Sequence, residues 1–122
     1  MSNPEPLNGE IWWVRIPNQP NDPHQPRTAI IVSTDGRNKF ANDVIVVPTT
    51  SSTNFKPHPE LHIHVPSGEG GLLKDSYARC DQVTTIDKSL LDLQGPLGNR
   101  IHLKYRWAIV DGVRVALGDT RV

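Results

Sequence analysis

Prolines at positions 17, 20, 23 and 26 interrupt the chain directly after its first apolar run. Proline has a fixed φ and no backbone N–H, so no central β-strand passes through "PNQPNDPHQP". The chain on either side must fold from short pieces. Those pieces read as strands: "EIWWVRI" (Glu10–Ile16), "TAIIVS" (Thr28–Ser33), "DVIVVPTT" (Asp43–Thr50), "ELHIHV" (Glu60–Val65) and "DSYARCDQV" (Asp75–Val83). The third is a nearly unbroken apolar run, as in a strand covered on both faces. The fourth alternates, with Leu61, Ile63 and Val65 on one side and Glu60, His62 and His64 on the other. Short strands with Pro- and Gly-rich connections predict a small barrel or strongly curled antiparallel sheet. The proline segment predicts a stiffened loop over one end of it. A polyproline-II turn gripped by an SH3-type partner is the lesser reading.

Beyond residue 100 the period changes. Ile101, Tyr105, Ala108, Ile109, Gly112, Val113, Ala116 and Leu117 recur at helical spacing, with Asn99 as N-cap and Gly118 as stop. Leu103, Trp107 and Val110 form a second apolar strip on the same helix, which implies a broad seat on the sheet or contact with another subunit. Its apolar faces predict a docked helix rather than a DNA-reading one, despite Arg100, Lys104, Arg106 and Arg114. A shorter helical piece is expected from Asp87. The class is α+β, in one domain spanning 1–122.

Thirteen Lys and Arg balance thirteen Asp and Glu, so a nucleic-acid partner would need a local basic patch. Apolar runs such as "VIVV" are too short to span a bilayer. The opening "MSNPEPLNGE" predicts no secretory signal, and the single cysteine permits no internal disulfide. A cytoplasmic protein with no membrane association is expected.

Three polar constellations are candidates. Cys80 follows Ala78 on the face of a strand that looks like core, and no local sequence supplies a base, so it reads as a small hydrophobe. His62 and His64 share a face but lack the paired spacing of a structural zinc site. They read as solvent-facing, and no metal or other cofactor is expected. "GEGGLL" lacks the strand–loop–helix context of a phosphate cradle and reads as a turn. Arg79 and Asp81 are either a surface ion pair or part of a site joined by Arg27, which leads the second strand, and Thr50, which ends the third. A hydroxyl-bearing run, Thr49–Thr53, follows.

Ordered segments of this chain resemble the MazF/PemK family of toxin endoribonucleases from Gly9 to Leu117: "GEIWWV", "PRTAIIVS", "VIVVPTTSS" and above all "GEGGLLKDSYARCDQVTTIDKSLL". "RCDQ" with "TIDK" is especially similar to the PemK/Kid branch. Thr28 stands where the family's second strand usually has proline, and Thr84 where its "DQxRT" pattern has arginine. The resemblance implies an SH3-like barrel of the CcdB/MazF kind with a C-terminal helix. It implies a homodimer of a type II toxin–antitoxin system that cuts single-stranded RNA without metal and is blocked by a MazE/PemI-like antitoxin.

The chemistry of RNA agrees with that implication. Its 2′-hydroxyl is the nucleophile, so the protein must take one proton, neutralise a phosphorane and ease departure of the 5′ oxygen. Asp81 suits the base. Arg27 and Arg79 suit the charged transition state, because guanidinium groups stay protonated and fork onto phosphate oxygens. Thr50 suits a hydrogen bond to the phosphate. Thr49, Ser51, Asn54, Gln82 and the loop residue His24 are RNA-binding candidates, with Asn18 and Gln19 beside His24. Trp12 and Trp13 point to opposite faces, leaving at most one of them to stack on a base. The alternatives are a CcdB-like gyrase poison and an inactive RNA-binding relative.

Overall fold

The computed structural model describes residues 5–17 and 25–121. His24, Asn18, Gln19 and most of the proline-rich loop lie outside the described residues. Strand β1 (Ile11–Val14) pairs antiparallel with β2 (Arg27–Ile31), and β2 with β3 (Asp43–Thr50). On its other edge β3 takes two partners in succession. Its first half pairs with β6 (Thr84–Asp87), and its last residues with β5 (Ser76–Arg79), which carries β4 (His62–Val65) on its far side. Pro48 falls between Val46, the last residue paired with β6, and Thr49, the first paired with β5. There the missing N–H interrupts no ladder on that edge.

The six strands make one curled antiparallel sheet that does not close as a continuous ladder. A bridge between Val14 and Leu91 brings the chain after β6 back against β1, with Asp92 N–H donating to Trp13 O at 2.9 Å. Both faces of the central strands are covered. One face buries Trp12, Val14, Ala29, Ile31, Val44, Val46 and Ile86. On the other face Ile11, Ile30, Val47, Val65, Ala78 and Cys80 pack against Ile101 and Ile109. This two-sided burial accounts for the unbroken "VIVV".

Helix α1 (Asp35–Phe40) joins β2 to β3, and α2 (Leu103–Ala116) closes the second core. Helix α2 starts later than Asn99 predicts, with His102 as N-cap and Glu69 Oε1 accepting the His102 N–H at 2.9 Å. It stops as expected at Gly118. That residue has φ +83°, and Asp119 N–H reaches back to Arg114 O at 2.9 Å, the paired-bond ending that favours a left-handed glycine. Ile109 and Gly112 are buried, but Ala116 and Leu117 are exposed, so the seated stripe is shorter than its sequence period. Leu103, Trp107 and Val110 face outward, which removes the broad seat on the sheet as their explanation.

Two further expectations are corrected. The fifth strand does not run from Asp75 to Val83. It ends at Arg79, a single 3-10 turn covers Cys80–Gln82, and β6 follows. The turn is where the chain steps from one half of the β3 edge to the other. The helical piece at Asp87 is also a single 3-10 turn, Lys88–Leu90, capped by Asp87 Oδ1 accepting from Ser89 N–H at 2.8 Å. Helix α1, six residues long, was too short to show a period in the sequence. "GEGGLL" is a turn, as expected.

Candidate active site

The start of β2 lies beside the end of β3, and β5 flanks β3 on the other side. Antiparallel pairing therefore gathers Arg27, Thr50 and Arg79 at one end of the sheet. They line a cleft of about 640 Å³ with Trp13, Thr28, Thr49, Ser51 and Lys74. Among the described residues the lining contains no Asp or Glu, so this is a local basic patch in a chain of zero formal net charge. Thr28 and Thr49 join their hydroxyls across β2 and β3, and Thr49 Oγ1 also donates to Thr28 O at 3.3 Å. The departure at Thr28 thus sits in the cleft wall. Trp13 is the half-exposed member of the tryptophan pair and Trp12 is buried.

Residues opposite each other on neighbouring strands share a face, which places Thr50, Tyr77 and His64 in one row and Arg79 and His62 in the next. Phe55, from the loop after β3, lies over this surface. Its ring is 4.8 Å from His62, edge-on, and 5.8 Å from Tyr77. The Arg79 guanidinium stands 5.6 Å from the same ring, within reach of a cation–π attraction. Arg79 Nε is buried and has no acceptor among the described residues. Phe55, Tyr77 and Lys74 were not singled out from the sequence. The available signal was Tyr77 two places before Arg79, and so on the same strand face.

Asp81 does not line the main cleft. Carried by the 3-10 turn, it lines a smaller groove of about 280 Å³ with Gln82, Thr84, Pro48 and Ile16. Its Oδ1 is 3.2 Å from His62 Nε2. Along an unbroken strand Arg79 and Asp81 would share a face, but β5 ends between them. His62 is not solvent-facing: its side chain keeps 11% of its exposure and holds Asp81. Among the described residues no three His, Cys, Asp or Glu side chains gather as a metal site. Asn54 is exposed in the loop before Phe55 and lies outside the cleft lining.

Cys80 is fully buried on the helix side of the sheet. Burial, then the neighbouring Asp81 charge, pushes its thiol up to about 12. A thiol held neutral inside the core is no nucleophile.

The sequence profile of the family described as "PemK-like, MazF-like toxin of type II toxin-antitoxin system" matches residues 7–104. The chain belongs to this toxin family. Solved structures agree on the PemK/MazF-like fold. An endoribonuclease from a mycobacterial species superposes with a TM-score of 0.76 at 20% identity, covering 100% of both chains. A mycobacterial endoribonuclease in complex with its cognate antitoxin also gives 0.76 at 20% identity, covering 96% of this chain and 99% of that one. The MazE–MazF complex from Deinococcus radiodurans gives 0.71 at 17% identity, covering 97% and 99%. A comparison with curated proteins finds no match by sequence. No helix among the described residues is long and apolar enough to cross a membrane.

Proposed function

We propose that this PemK/MazF-like chain, a single domain over 1–122, is an endoribonuclease that cuts single-stranded RNA through the RNA's own 2′-hydroxyl, without a metal ion. The observation that carries the reading is the cationic cleft, in which Arg27, Thr50 and Arg79 meet with no carboxylate among the described lining residues. Such a cleft attracts a phosphodiester and repels nothing in it. Phosphate oxygens there find two guanidinium forks and the Thr50 hydroxyl, all suited to the extra charge of a phosphorane.

Asp81 takes the 2′ proton as the 2′ oxygen bonds to phosphorus. The bond to the 5′ oxygen breaks, and that oxygen collects a proton from solvent beside the Arg79 guanidinium. The products are a 2′,3′-cyclic phosphate and a 5′-hydroxyl. The substrate must then run from the cleft past Arg79 to the turn that carries Asp81. Unpaired bases splay out and stack, which suits Trp13, Phe55 and Tyr77 and favours single strands over duplex. Ser51, Thr49, Asn54 and Gln82 lie along or beside that path and would contribute the choice of sequence.

The outward strip Leu103, Trp107 and Val110 supports a homodimer. The family supports a cognate antitoxin that covers the cleft, and an RNA substrate supports a cytoplasmic location. A gyrase poison on the same fold needs no cationic cleft.

The test is a single-stranded oligonucleotide carrying a cleaved sequence, compared with the same strand bearing one 2′-deoxy sugar at the scissile position. The deoxy strand should bind with an affinity within about threefold and stay intact, because only RNA supplies the nucleophile. Cleavage of the deoxy strand at that position would exclude the mechanism.

A further inference from the structure

We propose that His62 is a positioning residue for Asp81, fixing the carboxylate so that one oxygen faces the substrate. The inference rests on Asp81 being the base and deepens that reading. His62 and Arg79 are cross-strand partners, so the chain leaving Arg79 enters its 3-10 turn directly beside the His62 ring. Asp81 has about a third of its side chain exposed and sits on a single turn, where a short carboxylate samples several rotamers unless held. His62 Nε2, at 3.2 Å from Oδ1, is the partner that holds it.

The tautomer follows from the other ring nitrogen. His62 Nδ1 accepts the backbone N–H of His58 at 2.7 Å, so it carries no proton of its own. The neutral ring therefore bears its proton on Nε2 and donates it to Asp81. A neutral donor orients the carboxylate without neutralising it. Oδ1 is occupied and Oδ2 is left to take the 2′ proton. The ring itself is fixed twice, by the His58 amide and by the edge-on contact with the Phe55 ring. Phe55 also flanks Arg79, so one aromatic side chain sets the relation between the base's anchor and the phosphate-binding arginine. This is the arrangement by which a histidine supported behind a reactive group controls its geometry without touching substrate.

Three variants and one spectrum test it. His62→Phe keeps an aromatic ring against Phe55 and removes the donor. It should lower kcat about 10- to 100-fold, the usual cost of losing an orienting partner, with KM changed less than about threefold. His62→Gln, whose amide can reach Asp81 from the same backbone position, should recover most of the loss. In an Asp81→Asn background, His62→Phe should have no further effect. Imidazole nitrogen-15 shifts of the wild-type protein should show His62 protonated on Nε2 with Nδ1 an acceptor. Wild-type kcat in folded His62→Phe, with Asp81→Asn inactive, would overturn the inference and leave the nuclease reading standing. Full activity in Asp81→Asn would overturn the reading beneath it. Should His62→Phe fail to fold, a proton found on Nδ1 in the wild-type spectrum overturns the inference by itself.

Discussion

Cys80 stands between Arg79 and Asp81, the phosphate-binding arginine and the base of the proposed mechanism, yet its own side chain points the other way, into the core under α2. Its folded pKa of about 12 lies above the ordinary value of 9.0. The unfolded chain therefore sheds this proton first as pH rises, and the associated stability is complete below about pH 9 and lost towards pH 12. Thermal melts across that range should show a decline that Cys80→Ala partly removes, while cleavage by Cys80→Ala stays within about twofold of wild type. A folded Cys80→Ala protein without activity would restore the thiol to the mechanism. Cys80 was legible as core from Ala78 beside it. Arg27 and Thr50 were legible because each was read at a strand end, and the antiparallel order brings those ends together. Arg79 was read inside a longer strand and proves to be the last residue of β5. The His62–Asp81 contact was not legible, because the partners are nineteen residues apart and nothing local marks the covering of the ring by Phe55.

The elements show where periodicity holds and where a neighbour overrides it. The runs for β1 to β3 and the stripe of α2 were readable because each buries a face in a core of its own. The break after Arg79 was not, since alternation continues through the letters while β3 demands a change of partner. The Cys80 side chain lies against Gly112 of α2. A Cβ added at Gly112 would lie 2.7 Å from Cys80 Sγ. Replacing an interior helical glycine by alanine ordinarily stabilises by about 1 kcal/mol. Here overpacking should win, and Gly112→Ala should destabilise by about 1–3 kcal/mol in denaturant melts. The Cys80→Ala/Gly112→Ala pair should recover much of the loss, because the methyl then occupies the space the sulfur leaves. Additive losses in the pair would show that the two do not share that contact.

At the scale of the whole molecule, the zero net charge conceals a local field, and composition alone gave no view of it. The same holds for the second apolar strip. Two explanations for it were open, and the exposure of Trp107 leaves contact with another copy as the one the proposed homodimer requires. Trp107→Asp should therefore be monomeric by sedimentation at concentrations where the wild type is dimeric, with an unchanged far-UV spectrum. The central claim is that the cationic cleft cuts RNA through the 2′-hydroxyl. It is tested most directly by incubating purified protein with mixed-sequence single-stranded RNA in chelator and analysing the product ends, with folded Arg79→Ala alongside. The expected result is cyclic-phosphate and 5′-hydroxyl ends from the wild type, with cleavage reduced by at least about 100-fold in the variant. Intact RNA after exposure to folded, dimeric wild-type protein, or equal cleavage by Arg79→Ala, would contradict it.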